Sequence, residues 1–504
     1  MRRRWHTVSD PVRPTALLPS PAATIRVVRN GLALGGSKVA TSLVLFGWQV
    51  ALARQLGVAT YGVYATLGAA LALAAVLPEF GLGLVVARDA AKRPETAPSL
   101  LAATLILQPC LAAVAVVCFV ASAWHAPSVS GLGLLLAVAA APLVTDTLGN
   151  LCHAQLVAAE RLVAPSAIAL LHAVVLVGVG APLVWFGFGL WGVYGAILAA
   201  SSVRAVVYMR RLVVVGIAPK WPVSRSLVAR LLVQGWPIAL LALVGMARLN
   251  ADKLLVTPVL GVAATGQLQA AFVIVFGLGD VLNATLLTIL LPVMARSFHR
   301  GRRDRFDYLV ERLSFAGLVV GVPIACGGFL FADRGCALLF GSGYSETPSL
   351  LTVLLVALAV TMAGNAFQQV LIVEGRQRSL LVARAAVLGV LLVLLVILVP
   401  RIGLVGAAVA SLVTEVGGLV ALVLVARPPA TSVRRLMKDG LAVTLAAACA
   451  TALAHIVDPT AGPLAALVMV AVYVTGVVAS RVVSAAEWPL LLDTMGLLRF
   501  RRET

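Results

Sequence analysis

The sequence predicts an all-α integral membrane protein. It would have fourteen transmembrane helices, in two six-helix lobes related by pseudo-two-fold symmetry plus two C-terminal helices. Three observations lead there. Of 504 residues, 61% are hydrophobic and only 12% charged, more apolar than a water-covered surface accommodates. The apolar residues come in blocks of about twenty, the length that a ~30 Å hydrocarbon core asks of a helix. Two short elements recur in the same order in the two halves of the chain.

The blocks are helices and not barrel strands. A barrel strand alternates apolar and polar residues, whereas a stretch such as LLVLLVILV (391–399) is apolar on every side. A helix also satisfies its own backbone hydrogen bonds in lipid. The spans fall near 31–52, 61–86, 98–121, 131–157, 163–185, 188–208 and 231–253, then 264–295, 309–331, 347–373, 380–399, 402–425, 439–457 and 462–480. No connection exceeds about 25 residues, too short for a soluble catalytic domain.

The formal charge of +19 would point to nucleic acid in a soluble protein. Here its distribution explains it. Arg26 and Arg29 precede the first span; Arg88, Lys92 and Arg93 follow the second; Arg210 and Arg211 follow the sixth. Arg300, Arg302 and Arg303 follow the eighth, and Arg427, Arg434 and Arg435 the twelfth. The opposite loops offer little beyond Arg54, Arg334 and Arg401. An even span count puts every strongly basic segment on one side, which the positive-inside rule assigns to the cytoplasm. The expectation is a multi-pass inner (plasma) membrane protein with both termini cytoplasmic. The N-terminal stretch has no apolar core of a cleaved signal.

LGVATYG (56–62) and LGVAATG (260–266) agree at five of seven positions, 204 residues apart; GLWG (189–192) and GLVG (403–406) lie 214 apart. Each member of a pair sits at the same place in its half. The organisation is therefore a tail over 1–28, an N-terminal lobe over 29–215, a C-terminal lobe over 231–427, helices 13–14 over 439–482, and a tail over 483–504. Both halves enter from one side, so the repeat is parallel, about an axis along the membrane normal. That is a transporter's architecture.

Charges at bilayer depth cost ~2.5–3.5 kcal/mol on insertion scales and usually face a cavity. The candidates are Lys38, Glu79, Asp146, Arg204, Arg248, Asp252, Lys253, Asp280, Arg384 and Glu415. Gly31, Gly35, Lys38, Ser42 and Gln49 share one helical face, which either lines a cavity or lets Lys38 snorkel to the interface. Arg248 and Asp252 stand at i,i+4 and can pair, and Lys253 follows. That set either makes the span insertable or draws an anionic headgroup. Lys38, Gln49, Arg248, Asp252 and Lys253 are the substrate-binding candidates. Glu79, Asp146 and Asp280 are ion-coupling candidates, for a proton or sodium gradient, and Glu415 is a further possible proton or sodium site; each also reads as a capped or interfacial carboxylate. His153 and His172 read as helix-packing residues. Of six cysteines, five fall in apolar blocks without metal-ligand spacing, and Cys336 is placed in an outer loop with no evident partner. There is no Walker GxxxxGK[ST], HExxH or GxSxG, so neither ATP drive, nor a metal site, nor covalent catalysis is expected, and no cofactor.

With these pieces in order, the chain resembles a known family. QLGVATYGVYATLGA (55–69) followed by EFGLGLVVARDAAKR (79–93) is similar to the opening of polysaccharide-transport proteins. These are the oligosaccharide flippases of the multidrug/oligosaccharidyl-lipid/polysaccharide exporter superfamily. ARLNADKLLVTPVLGVAATGQLQAA (247–271) resembles their helix 7–8 junction, with Leu268 or a neighbour where a Tyr is usual. LLFGSGYSETPSLLTVL (338–354) resembles the loop before helix 10, and GLVGAAVASLVTE (403–415) helix 12. The resemblance implies a non-enzymatic flippase that moves a polyprenyl-diphosphate-linked oligosaccharide or similar glycolipid to the outer leaflet, for cell-surface polysaccharide. Glu79, Arg248 and Asp252 match polar positions of that family. Its partners would be the lipid-linked substrate, membrane lipids, and a glycan polymerase and glycosyltransferases, without nucleic acid. A multidrug extrusion antiporter or lipid II flippase of the same superfamily is the alternative, and a membrane-embedded glycan polymerase a more distant one.

Overall fold

The computed structural model describes residues 21–124, 133–158, 163–299, 303–458, 460 and 462–479. The tail expected over 483–504, and residues 1–20 of the one expected over 1–28, lie outside the described residues, as does the burial of Gly31 and Gly35. Every regular element among the described residues is helical. Twelve stretches are long and apolar enough to cross a membrane; the first, Lys38–Lys92, contains two spans, and Pro463–Ala479 is a shorter apolar helix. Counted so, the described residues of this multi-pass membrane protein hold fourteen apolar helices, the last of them shorter than the rest.

The first helical run, Pro21–Ala74, divides at Gly57 into α1 (21–56) and the beginning of α2 (58–92). Then come α3 (Ala97–Trp124), α4 (Gly133–Ala158), α5 (Val163–Trp185), α6 (Gly189–Val214) and α7 (Arg225–Leu260). They are followed by α8 (Val262–His299), α9 (Arg303–Phe340), α10 (Thr347–Val373), α11 (Gln377–Ile402), α12 (Leu404–Ala426), α13 (Ala430–Val457) and α14 (Pro463–Ala479). Several helices outrun their apolar blocks, α9 by most of two turns at its start. Hydropathy marks the part of a helix that meets hydrocarbon, while the backbone ladder continues into polar sequence until something stops it. The connections shrink accordingly, to residues 215–224 between α6 and α7.

The same pairings recur in both halves. α3 packs on α4, α4 on α6 and α5 on α6; likewise α9 on α10, α10 on α12 and α11 on α12. α13 and α14 pack on each other, with α13 against α9, and Tyr473 OH donates to the Val319 carbonyl at 2.6 Å. The sequence repeats occupy equivalent places. Gly57 (φ 71°, ψ 167°) joins α1 to α2, and Gly261 (φ 88°, ψ 171°) joins α7 to α8. That backbone region is open essentially to glycine alone, and another residue there costs about 1–3 kcal/mol. Gly192 and Gly406, from the second repeat, each lie against the preceding helix, at Leu183 and at the Leu398 carbonyl.

Call the end that carries Lys92 and Arg225 the basic end, and the opposite one the far end. The lobes meet at both. At the far end the two copies of the repeat face each other. A Cβ on Gly62 would stand 1.7 Å from the Val262 carbonyl oxygen, and one on Gly266 would stand 2.1 Å from that of Val58. The contact is reciprocal, as a two-fold relation requires. Around it Thr66 and Thr257 share a hydrogen bond (2.7 Å), as do Thr257 and Thr265 (2.8 Å). Arg54 donates to the carbonyls of Leu338 and Leu339, and Tyr344 OH to that of Ala53. At the basic end, α2 meets α7. A Cβ on Gly235 would stand 2.4 Å from the Phe80 carbonyl oxygen, and Arg88 Nη2 donates to Gln234 Oε1 at 2.9 Å.

That second contact uses a break in α2. The helix stops at Glu79, and Phe80 (φ 41°) and Gly81 (φ 67°) turn left-handed before it resumes at Leu82. A bulky residue with positive φ is rare. The break exposes the Phe80 carbonyl to α7 and leaves Glu79 at an open helix end.

Candidate functional site

The C-terminal lobe is hollow at mid-span. A cavity of about 210 Å³ is bounded by α7, α8, α10, α11 and α12, with Arg248, Asp252, Asp280 and Glu415 as its charged walls. A second, of about 230 Å³, lies nearer the basic end between α7, α10, α11 and α12 and carries Arg384, Gln368 and Asn365. Arg248, Thr361 and Glu415 border both. Apolar sequence builds the shells of these helices, and the polar residues interrupt it one per turn or two, so they converge inward when the helices pack.

The central interaction is an ion pair. Arg248 Nη1 and Nη2 both donate to Glu415 Oε1, at 2.6 and 2.5 Å. Both side chains are partly shielded, at 27% and 19% exposure. The expected i,i+4 pairing of Arg248 with Asp252 does not form. Arg248 reaches from α7 across to α12, and Asp252 turns to its neighbour instead: it accepts from the Lys253 backbone N–H at 2.9 Å, with Lys253 Nζ 3.9 Å away. A charge-assisted pair across two helices neutralises both groups, which i,i+4 spacing alone does not decide. Lys253 is likewise displaced from its expected place. Its Nζ donates to the Leu249 carbonyl at 3.0 Å and sits 4.9 Å from the Phe272 ring and 5.8 Å from that of Phe276. Its charge is held by a carbonyl and two π faces, behind the cavity wall and not on it. Asp280 stands exposed at the first cavity.

The remaining candidates lie in the N-terminal lobe. Asn150 Nδ2 donates to Glu79 Oε1 at 2.6 Å, and Arg204 Nη2 to Asp146 Oδ1 at 2.8 Å. Two of the ion-coupling candidates are thus gathered with Arg204 between α2, α4 and α6, and the third, Asp280, lies in the other lobe. Gln49 is held by tyrosines: its Nε2 donates to Tyr64 OH (2.9 Å), and Tyr61 OH donates to its Oε1 (3.1 Å). Lys38 and Ser42 lie on α1 toward the basic end, Lys38 exposed. His153 packs edge-on to Tyr208, ring centroids 5.7 Å apart. Cys336 is not in a loop: it is buried inside α9, because that helix runs on to Phe340. No cluster of three metal-ligating side chains occurs among the described residues.

The sequence pointed to Glu415 as a proton or sodium site but not as the partner of Arg248, left Arg384 as an intramembrane charge without a site, and gave no role to Asn150 or Gln368. The signal was present, since each is a polar residue inside an apolar run. Their convergence needed the packing.

A family described as polysaccharide biosynthesis protein matches residues 51–349, more than half the chain and across both lobes. The chain belongs to this family. Among curated proteins no sequence match was found. The fold of this family member is similar to that of the lipid II flippase MurJ in an inward closed conformation. The TM-score is 0.72 at 14% identity, covering 89% of this chain and 98% of that one. It is also similar to an inward-facing multidrug resistance MATE family transporter of the MOP superfamily, with TM-score 0.59, 17% identity and coverage of 79% and 96%. For the Vibrio cholerae MATE transporter VcmN the values are 0.58, 15%, 82% and 100%. At these identities the likeness is one of fold.

Proposed function

We propose that this protein is a flippase that carries a polyprenyl-diphosphate-linked oligosaccharide, or a similar glycolipid, from the inner to the outer leaflet by alternating access. The basic end is then cytoplasmic. The observation that carries the reading is the hollow within the bilayer span, with Arg248, Glu415 and Arg384 on its walls. An isolated charge moved into hydrocarbon loses tens of kcal/mol of solvation. A hydrated cavity that offers guanidinium groups lowers that barrier while the lipid tail remains in the bilayer. Membership of a polysaccharide biosynthesis family supports a glycan as the cargo.

In this cycle the lobes rock against each other, and the Gly57 and Gly261 junctions let the first two helices of each lobe bend as they do. The Gly62–Gly266 contact seals the far end while the substrate enters from the basic side, and its parting lets the headgroup leave. An ion gradient supplies direction, with Glu79, Asp146 and Asp280 as the carboxylates that would take a proton or sodium. Arg248 and Asp252 are substrate-facing in this reading, while Lys253 sets the local field from behind the wall. Glycosyltransferases that make the substrate and a polymerase that consumes it are the expected neighbours in the membrane.

The test is cellular. A strain lacking the protein should accumulate lipid-linked repeat units on the cytoplasmic leaflet, scored by their protection from an added glycosidase in intact spheroplasts. Accumulation of single repeat units already on the outer leaflet would instead place the defect at polymerisation and contradict the assignment.

A further inference from the structure

We propose that the open groove at the α12–α13 corner, on the outer face of the C-terminal lobe, binds one anionic glycerophospholipid from the leaflet at the basic end. Arg427 and Arg434 hold its phosphodiester. The site stands apart from the transport path, since the groove shares no lining residue with either cavity of that lobe.

The groove exists because two consecutive helices diverge. α12 packs on α10 and α11, whereas α13 packs on α9 and α14. Arg376 pins the end of α12, donating from Nη2 to the Val425 carbonyl at 2.8 Å. Pro428 and Pro429 turn the chain, and α13 starts at Ala430. An open space of about 440 Å³ is left between the helices, floored by Val423, Leu424, Val433 and Met437. Two exposed apolar ridges run from it toward mid-bilayer: Leu424, Val420 and Val416 on α12, and Met437, Leu441 and Leu445 on α13. The four-residue spacing keeps each ridge on one helix face. Two ridges suit two acyl chains.

The rim is cationic. Arg427 and Arg434 border the groove, both are exposed, and no acidic residue lines it. Other basic side chains at this end are already matched. Arg303 pairs with Asp307 and Glu374, and Arg376 with Glu374. Arg435 and Lys438 interact with Asp439. Across the corner, Asp307 and Glu311 line a separate pocket together with Arg303 and Arg427. A neutral lipid would leave the two rim cations without a counter-charge, and a soluble anion would leave the apolar floor wet. An anionic phospholipid answers both, and a guanidinium fork matches its phosphate oxygens.

The backbone of Arg427 is a second observation. It closes α12 in the left-handed region, at φ 53° and ψ 54°, and only Phe80 shares a positive φ with it among the described non-glycine residues. Glycine commonly takes that place at a helix end, because it has no Cβ to strain. Strain that persists points to a use for the side chain.

The test is lipid retention. Purified full-length protein in detergent receives equal amounts of phosphatidylglycerol and phosphatidylcholine with the same chains, and bound lipid is counted by native mass spectrometry. Phosphatidylglycerol should be retained preferentially. Arg427→Gly and Arg434→Gln should each lower that preference about fivefold, the effect of one arginine on an anionic lipid surface. Arg427→Gly should do so without lowering the melting temperature of the delipidated protein, because glycine relieves the turn. Ala430→Trp fills the groove from an exposed position, keeps both arginines, and should lower the preference too. Arg210→Gln combined with Arg211→Gln, exposed at the same end but outside the groove, should leave it unchanged. No preference at all, or a preference that survives Arg427→Gly, Arg434→Gln or Ala430→Trp, would overturn the proposal. So would an equal loss in the Arg210 and Arg211 double variant, which would mean a diffuse positive surface, or displacement by equimolar polyprenyl phosphate, which would assign the groove to the carrier. Flipping is not measured, so none of these failures touches the flippase reading, and absence of flipping leaves the lipid site standing.

Discussion

Alanine at Gly62 or Gly266 is expected to part the lobes at the far end of the bundle and to destabilise this closed state by about 1–3 kcal/mol, the range for overpacking a tight contact. The reason is that the obstacle is backbone. The new methyl carbon would fall 1.7 Å from one carbonyl oxygen or 2.1 Å from the other, and a main-chain carbonyl cannot rotate aside as a side-chain tip does. Helices α2 and α8 must separate, and the Thr66–Thr257 hydrogen bond between the lobes is lost with the contact. Two readouts follow. Thermal unfolding in detergent should shift downward, and a cysteine at Thr265, which is fully buried, should react faster with a polar thiol reagent in a cysteine-free background carrying Gly62→Ala. Unchanged reactivity together with unchanged melting would show that the far end does not close as described.

The second large effect concerns Arg248 and Glu415. Arg248→Met should leave a shielded carboxylate without its counter-charge, at about 1–3 kcal/mol and more because the group is ionic. Glu415→Leu should do the same to the guanidinium. The two changes should not add. A double-mutant cycle on unfolding is expected to give a coupling of about 0.5–3 kcal/mol, because each single change already forfeits the pair. The exchange Arg248→Glu with Glu415→Arg should recover most of the stability lost by either reversal alone. Additive losses would mean that the two residues act separately, despite 2.5 Å between them.

These two sites differ in how far the sequence foretold them. The glycines were legible: LGVATYG and LGVAATG gave the repeat, and a repeat of glycine at a helix junction says that the backbone there does something no other residue permits. The fourteen spans were legible for a similar reason, since hydrocarbon admits few spanning structures and each residue's contribution to insertion is local. The Arg248–Glu415 pair was not legible, because its partners lie 167 residues apart and only the lobe's packing brings α7 to α12. Reading along one helix favoured Asp252, the nearer acid. Lys253 shows the same limit from the other side. Its charge announced a cavity residue, yet the rotation of α7 and the two phenylalanines of α8 seal it. The break at Glu79–Gly81 was not foreseen: the span expected over 61–86 runs through it, and the left-handed turn at Phe80 packs against α7.

The central claim is that a polar hollow inside a two-lobed bundle carries a glycan headgroup across the bilayer. The direct measurement uses purified protein in liposomes loaded on one leaflet with fluorescently labelled polyprenyl-diphosphate oligosaccharide, scored by accessibility to an external quencher with and without an ion gradient. The account predicts label crossing at rates well above protein-free liposomes, and loss of that crossing with Arg248→Glu. No crossing under any gradient by folded protein, or crossing unaffected by Arg248→Glu, would contradict it.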